Sequence, residues 1–195
     1  MPHSPCIDLD EAARQKLLDI ARYSIESGAI PGEAPRVDFD SLEQTLHARF
    51  AVFVTLTRLG ALRGCVGSLQ ALDRVAQAVA NAAFNAAFRD RRFTPLETVE
   101  FASTRIEVSV LSPLEPLVAE SRQVLLEQLR PGIDGLVVED RGHRATFLPK
   151  VWEQLDSPDQ FLRQLFQKAG LAGEHWSRNL KLQRYTTLTF AEPGS

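Results

Sequence analysis

Apolar residues recur at helical spacing from Leu9 to Ser27, where Leu9, Ala13, Leu17, Ile20 and Ala21 mark one face. Asp8 with Glu11 resembles a capping box, and Gly28 and Pro31 predict the stop. A Pro/Gly/Asp-containing linker over 31–40 and a short helix near Leu42–Ala48 follow. Strict alternation then predicts a strand over Phe50–Leu56, a turn at Gly60 and a second strand over Leu62–Leu69. The next helix, Asp73 to about Phe88, holds seven alanines, a composition that lets a helix approach a sheet closely. From Arg105 to Leu111 the pattern alternates again, with Ile106, Val108 and Val110 facing inward and Glu107 outward.

The second half repeats the order. A helix at 121–130 ends at Pro131-Gly132, and Leu136–Glu139 with Arg144–Leu148 reads as a hairpin around Asp140-Arg141-Gly142-His143. A short helix near 149–155 precedes a strongly signalled one. Ser157 as N-cap, Pro158 at the first position and Gln160 begin that helix, and Gly170 stops it. A final strand is predicted over Leu182–Phe190. Two hairpins and two return strands favour a largely antiparallel sheet and an α+β fold.

Composition changes this picture little. The 195 residues are 44% hydrophobic, which suits one domain over 9–192 or two closely packed lobes, with tails at 1–8 and 193–195. No apolar run approaches the roughly 18 residues of a membrane helix. The acidic, proline-broken start MPHSPCIDLD predicts neither a signal nor a transit peptide. The expectation is a soluble cytoplasmic protein. Two cysteines, Cys6 and Cys65, and four scattered histidines form no metal-ligand motif, so no metal is expected. Neither a phosphate-binding glycine loop nor a radical-SAM cysteine triplet occurs, so no cofactor is expected.

Local charge is more informative than the net −3. Residues 49–92 carry seven arginines against Asp73 and Asp90, whereas residues 1–48 carry four basic and nine acidic side chains. Such a block either docks on the acidic N-terminal helix or binds an anion. The acidic total argues against nucleic acid, and Arg89, Arg91 and Arg92 lack interleaved stacking aromatics beyond Phe88 and Phe93.

That block contains the least ordinary segment, Leu62-Arg63-Gly64-Cys65-Val66-Gly67-Ser68. Glycines weaken a strand and are tolerated where a bulge is needed or another backbone approaches. Cys65 lies between them with Arg63 and Ser68 close in sequence, and reads either as a reactive thiol favoured by the nearby arginine or as a small buried residue between packing glycines. Arg63 and Cys65 would share a face only in a regular strand.

The segment resembles the signature of the AMMECR-one domain family, which includes the A protein of the AmmeMemoRadiSam system. The resemblance extends through Phe53-Val54-Thr55-Leu56, Ala86 to Phe93, Ile106 to Pro113, Phe147-Leu148-Pro149 and Lys168-Ala169-Gly170-Leu171, covering about 9–192. Val66 stands where isoleucine is more usual. The resemblance implies an α+β fold with a barrel-like, mostly antiparallel sheet and an internal duplication. It also implies a pathway shared with Memo-like and radical-SAM proteins, and no assigned activity.

Two classes of function follow. In the first, the chain is an enzyme or enzyme subunit acting on a small anionic molecule or protein group. Cys65 is then the nucleophile or acid/base, Glu107 a carboxylate that orients or protonates, and Arg63, Gly64, Gly67, Ser68, Asp90 and Arg92 the substrate-binding residues. In the second it is a binding or scaffold module. The glycine-cysteine segment then fixes a crossing or docks a partner, with Glu107 pairing Arg63 across the sheet.

Overall fold

The computed structural model describes residues 7–30, 32–155 and 157–193, so Cys6, the stop expected at Pro31 and most of both tails lie outside it. The chain divides into two compact units, one of residues 1–112 with 188–195 and one of residues 113–187. The first unit holds α1 (Glu11–Gly28), β1 (Ala51–Arg58), β2 (Ala61–Gly67), α2 (Val75–Phe88) and β3 (Thr104–Leu111). The second holds β4 (Glu115–Pro116), α3 (Arg122–Gln128), β5 (Gly135–Asp140), β6 (His143–Phe147), α4 (Pro158–Lys168) and β7 (Lys181–Tyr185). The chain then returns to the first sheet as β8 (Thr187–Ala191).

The α+β class is as expected, but the barrel-like closure is not found. The described residues form two open four-stranded sheets, ordered β2-β1-β3-β8 and β4-β7-β5-β6. In each, a hairpin (β1–β2, β5–β6) pairs through its first strand with the return strand (β3, β7), so the element order recurs.

In the first unit, Val52, Val54 and Leu56 of β1 and Ile106, Val108 and Val110 of β3 are buried with one face of α1 and α2. The alanines of α2 bring its backbone close to the sheet, where nine of its residues are buried. Helix α1 is capped by Asp10, which accepts the Ala13 N–H at 2.8 Å, and not by Asp8. Leu9 is buried, so the helix begins after it.

The single strand expected over Leu182–Phe190 is two strands in different sheets. Leu182 and Tyr185 are both buried at a spacing of three, which period-two alternation cannot supply, and the chain changes sheet after Tyr185. Glu192 fixes the end of β8. It takes the Arg22 guanidinium in a two-pronged pair (2.9 and 2.5 Å) and accepts the Ile106 N–H at 2.9 Å. Replacing Glu192 with Ala should destabilise the first unit by about 2 kcal/mol, because it strands a charge-assisted donor set. Both tryptophans belong to the second unit, so the loss should appear in helical circular dichroism on urea titration before it appears in tryptophan fluorescence.

In the second unit, α4 begins as expected, with Ser157 accepting the Gln160 N–H at 3.2 Å. Its Phe161, Leu162, Leu165 and Phe166 form the core with Leu125, Leu136 and Val138, and Trp152 stacks on Phe161 at 3.8 Å. No helix among the described residues is long and apolar enough to cross a membrane.

Candidate functional site

The β1–β2 hairpin turns at Leu59-Gly60, both with positive φ (51° and 78°), and pairs Arg58 with Ala61. A regular ladder from that turn would pair Leu56 with Arg63, Thr55 with Gly64 and Val54 with Cys65. The observed pairs are Leu56 with Gly64 and Thr55 with Cys65, with the register shifting between Leu56 and Thr57. Arg63 is therefore the extra residue of a β-bulge. A one-residue slip moves every following side chain to the other face of a sheet. Without it, Cys65 would join Val54 and Leu56 in the core. With it, Gly64 faces inward and Cys65 faces outward.

Gly64 must be glycine for the inner side of this exchange to work. A Cβ there would lie 2.2 Å from the Ala86 carbonyl oxygen of α2. Gly67 is equally confined, with its Cβ position 2.3 Å from the Val52 oxygen. Both glycines are thus occupied by the protein's own close approaches.

On the outer face, Cys65, Thr55 and Glu107 stand in one row, because Thr55 is paired with Cys65 on one side and with Glu107 on the other. Thr55 Oγ1 donates to Cys65 Sγ at 3.5 Å. All three side chains are half-buried. The Cys65 and Glu107 backbones are two strand spacings apart, about 10 Å, with Thr55 between them.

Two ion pairs hold this edge of the sheet. Asp90 lies just past the C-terminus of α2, and its carboxylate accepts the Cys65 N–H at 2.9 Å. Arg92 donates to the same carboxylate at 2.7 and 3.0 Å and to the Cys65 carbonyl at 3.2 Å. Asp90 and Arg92 together supply the donor and acceptor that a neighbouring strand would otherwise bring to Cys65. The Arg92 bonds, with the Cys65 N–H, hold the Asp90 carboxyl well below the usual carboxylate range.

The second pair sits behind the bulge. Arg63 grips Glu100 at 2.8 and 3.1 Å and donates to the carbonyls of Thr94 and Pro95. Arg58 adds a bond to Glu100 at 2.9 Å, and the Glu97 N–H another. The Arg63 bonds and the Glu97 N–H, against the cost of burial, pull the Glu100 carboxyl down to about 2. The partner of Arg63 is therefore Glu100, not Glu107.

The structure gathers Arg63, Cys65, Asp90 and Arg92 around the main chain of β2 and places Glu107 in the Cys65 row. Gly67 and Ser68 instead line a cleft of about 160 Å³ beside α2, together with Asn81 and Asn85. The sequence alone assigns no site role to Thr55 or Glu100. Glu97 and Glu100 do form a reciprocal capping box, a pattern visible at that spacing. Among the described residues no group of three or more His, Cys, Asp and Glu is placed to hold a metal ion.

The family model described as AMMECR1 matches residues 18–190. The chain belongs to the AMMECR1 family. A protein of Methanothermobacter thermautotrophicus is 35% identical over 180 residues, covering 91% of this chain and 93% of its own. A Methanosarcina acetivorans protein is 32% identical over 190 residues, with 94% of each chain covered. The crystal structure of an uncharacterized protein from Pyrococcus horikoshii superposes with a TM-score of 0.83 at 30% identity, covering 90% of this chain and 89% of that one. These AMMECR1 relatives match over nearly the whole chain and carry no activity in their names.

Proposed function

We propose that the chain is an enzyme or enzyme subunit whose reacting group is the Cys65 thiol, acting on a small molecule or a protein group. The observation that carries this is the bulge at Arg63, which takes Cys65 out of the core and sets it beside Thr55 on the polar face. A thiolate accepts the Thr55 hydroxyl more strongly than a thiol does, and Glu107 is in register to exchange a proton through that hydroxyl. Asp90, Arg92 and Arg63 are positioning residues. Their charges are neutralised by or neutralise one another and Glu100, so they hold the strand and leave only the thiol to meet a substrate. An anionic substrate held by Arg63 and Arg92 is correspondingly less favoured than an electrophile selected by the row itself.

The test is the rate of Cys65 alkylation by iodoacetamide as a function of pH, read by mass spectrometry of the Cys65 peptide. Thr55→Val should slow the reaction about fivefold, the worth of one modest hydrogen bond. Glu107→Gln should change its pH dependence. Identical profiles for wild type and both variants would overturn the row as a working unit.

A second reading is favoured by the self-contained pairing of Arg63, Asp90 and Arg92, which a purely structural crossing would also show. In it the segment docks a Memo-like or radical-SAM protein, the partners that the family resemblance implies. Copurification with either, lost on Asp90→Asn while the fold is kept, would select that reading.

A further inference from the structure

The second unit carries a cleft of about 810 Å³, far from small and outside the row just described. One wall is the Pro116–Glu120 segment that leaves β4, and the other runs from Trp176 to Gln183. That size falls within the range of small-molecule sites, which combine apolar lining with a few polar groups. Leu117, Val118 and Trp176 are among its apolar lining residues.

The wall is anchored. Asp140, 2% exposed, accepts the Ser177 hydroxyl at 2.6 Å and the His175 ring N–H at 2.5 Å, both on Oδ2. Its Oδ1 is buried with no hydrogen-bond partner. A buried carboxylate with two short bonds to one loop holds that loop in place on both sides of Trp176.

The charged groups in the cleft are balanced. Lys181 pairs with Glu139 at 3.2 Å, which Arg144 also approaches. Glu120 and Arg178 line the same cleft, are exposed, and make no ion pair among the described residues. One open carboxylate, one open guanidinium and a tryptophan lining one cleft match a ligand with an ammonium, a carboxylate and a flat apolar body. A multiply charged anion would meet the two carboxylates, Glu120 and Glu139, without enough compensating cations.

We propose that this cleft binds an aromatic α-amino acid, with Glu120 taking the ammonium, Arg178 the carboxylate and Trp176 the ring. The site is independent of Cys65. Isothermal titration of the full chain tests it with three probes: L-phenylalanine, 3-phenylpropionate, which lacks the amine, and phenethylamine, which lacks the carboxylate. L-phenylalanine should bind saturably, and each truncated probe about tenfold more weakly, the loss of one charge-assisted contact. Glu120→Gln should weaken phenethylamine and spare phenylpropionate, and Arg178→Gln should do the reverse. N-acetylphenylalanine and phenylalaninamide separate a free amino acid from the end of a peptide: the proposal expects both to bind more weakly than the free amino acid. Cys65→Ser should change none of these affinities. No saturable binding of L-phenylalanine, equal binding of all three probes, or insensitivity to both exposed variants would overturn the proposal.

Discussion

Gly64→Ala should cost about 3 kcal/mol or more and abolish most of the soluble folded protein. The added Cβ would sit 2.2 Å from the Ala86 carbonyl oxygen. That obstacle is helix backbone, so no rotamer change relieves it. Either α2 lifts from the sheet, opening the packing of Val79, Ala83 and Ala86, or β2 slips back and returns Cys65 to the core face. Urea titration followed by helical circular dichroism measures the loss. Gly142→Ala is the comparator: its φ of +88° is unfavourable for alanine, but nothing lies within 4 Å of the new atom, so its cost should be about 1 kcal/mol. Equal costs at the two positions would show that close approach of α2 is not what glycine serves at 64.

The second large effect belongs to Glu100. Glu100→Gln should destabilise the protein by about 3 kcal/mol, because it leaves Arg63, 14% exposed, and Arg58 without their counter-charge. The pH dependence has a definite sign. The folded Glu100 carboxyl titrates near 2, below the roughly 4.3 of an unfolded glutamate, so the folded state holds its proton less tightly. Its contribution is present above about pH 4.3 and is lost as pH falls toward 2. Wild type should therefore show a steep loss of stability below that point, and Glu100→Gln a shallower one. Asp90 adds to the acid limb in the same sense, since its carboxyl is also held low. Parallel acid limbs for wild type and Glu100→Gln would contradict the ion pair as drawn.

Much of the scaffold could be read from pattern alone because local signals decided it. Ser157-Pro158 with Gln160 specifies a helix start whatever surrounds it, and the alternation over Ile106, Val108 and Val110 specifies which face is buried. The failures have a common cause in contacts distant along the chain. Glu100 is 37 residues from Arg63, and nothing in the spacing joins them. The end of the last strand depended on where Tyr185 is buried, between Thr146, to which its hydroxyl bonds at 2.7 Å, and Gly135, which leaves room for its ring. Asp10 replaced Asp8 as the cap because the core claims Leu9.

The candidate site shows the same division. The glycine-cysteine segment announced itself, and the parity of Arg63 and Cys65 framed the question of which way each faces. Only the register could answer it. The bulge sends Arg63 to Glu100 and turns Cys65 toward Thr55, so two residues of like parity serve different parts of the structure. Asp90 and Arg92 were legible as a pair near the end of α2, but their grip on the Cys65 peptide groups follows from the short return of the chain after Phe88, where Leu96 N–H bonds the Ala87 carbonyl at 2.8 Å.

Presentation of the Cys65 thiol on the outer face of the sheet is tested most directly by its alkylation in the folded protein relative to the same peptide in the urea-unfolded chain. A thiol held outward beside Thr55 should react in the native state within about tenfold of the unfolded rate, and the Asp90→Asn variant should depart from wild type once the clamp on its peptide groups is weakened. A native rate suppressed by about a thousandfold or more, and limited by global unfolding, would place Cys65 with the buried side chains and contradict it.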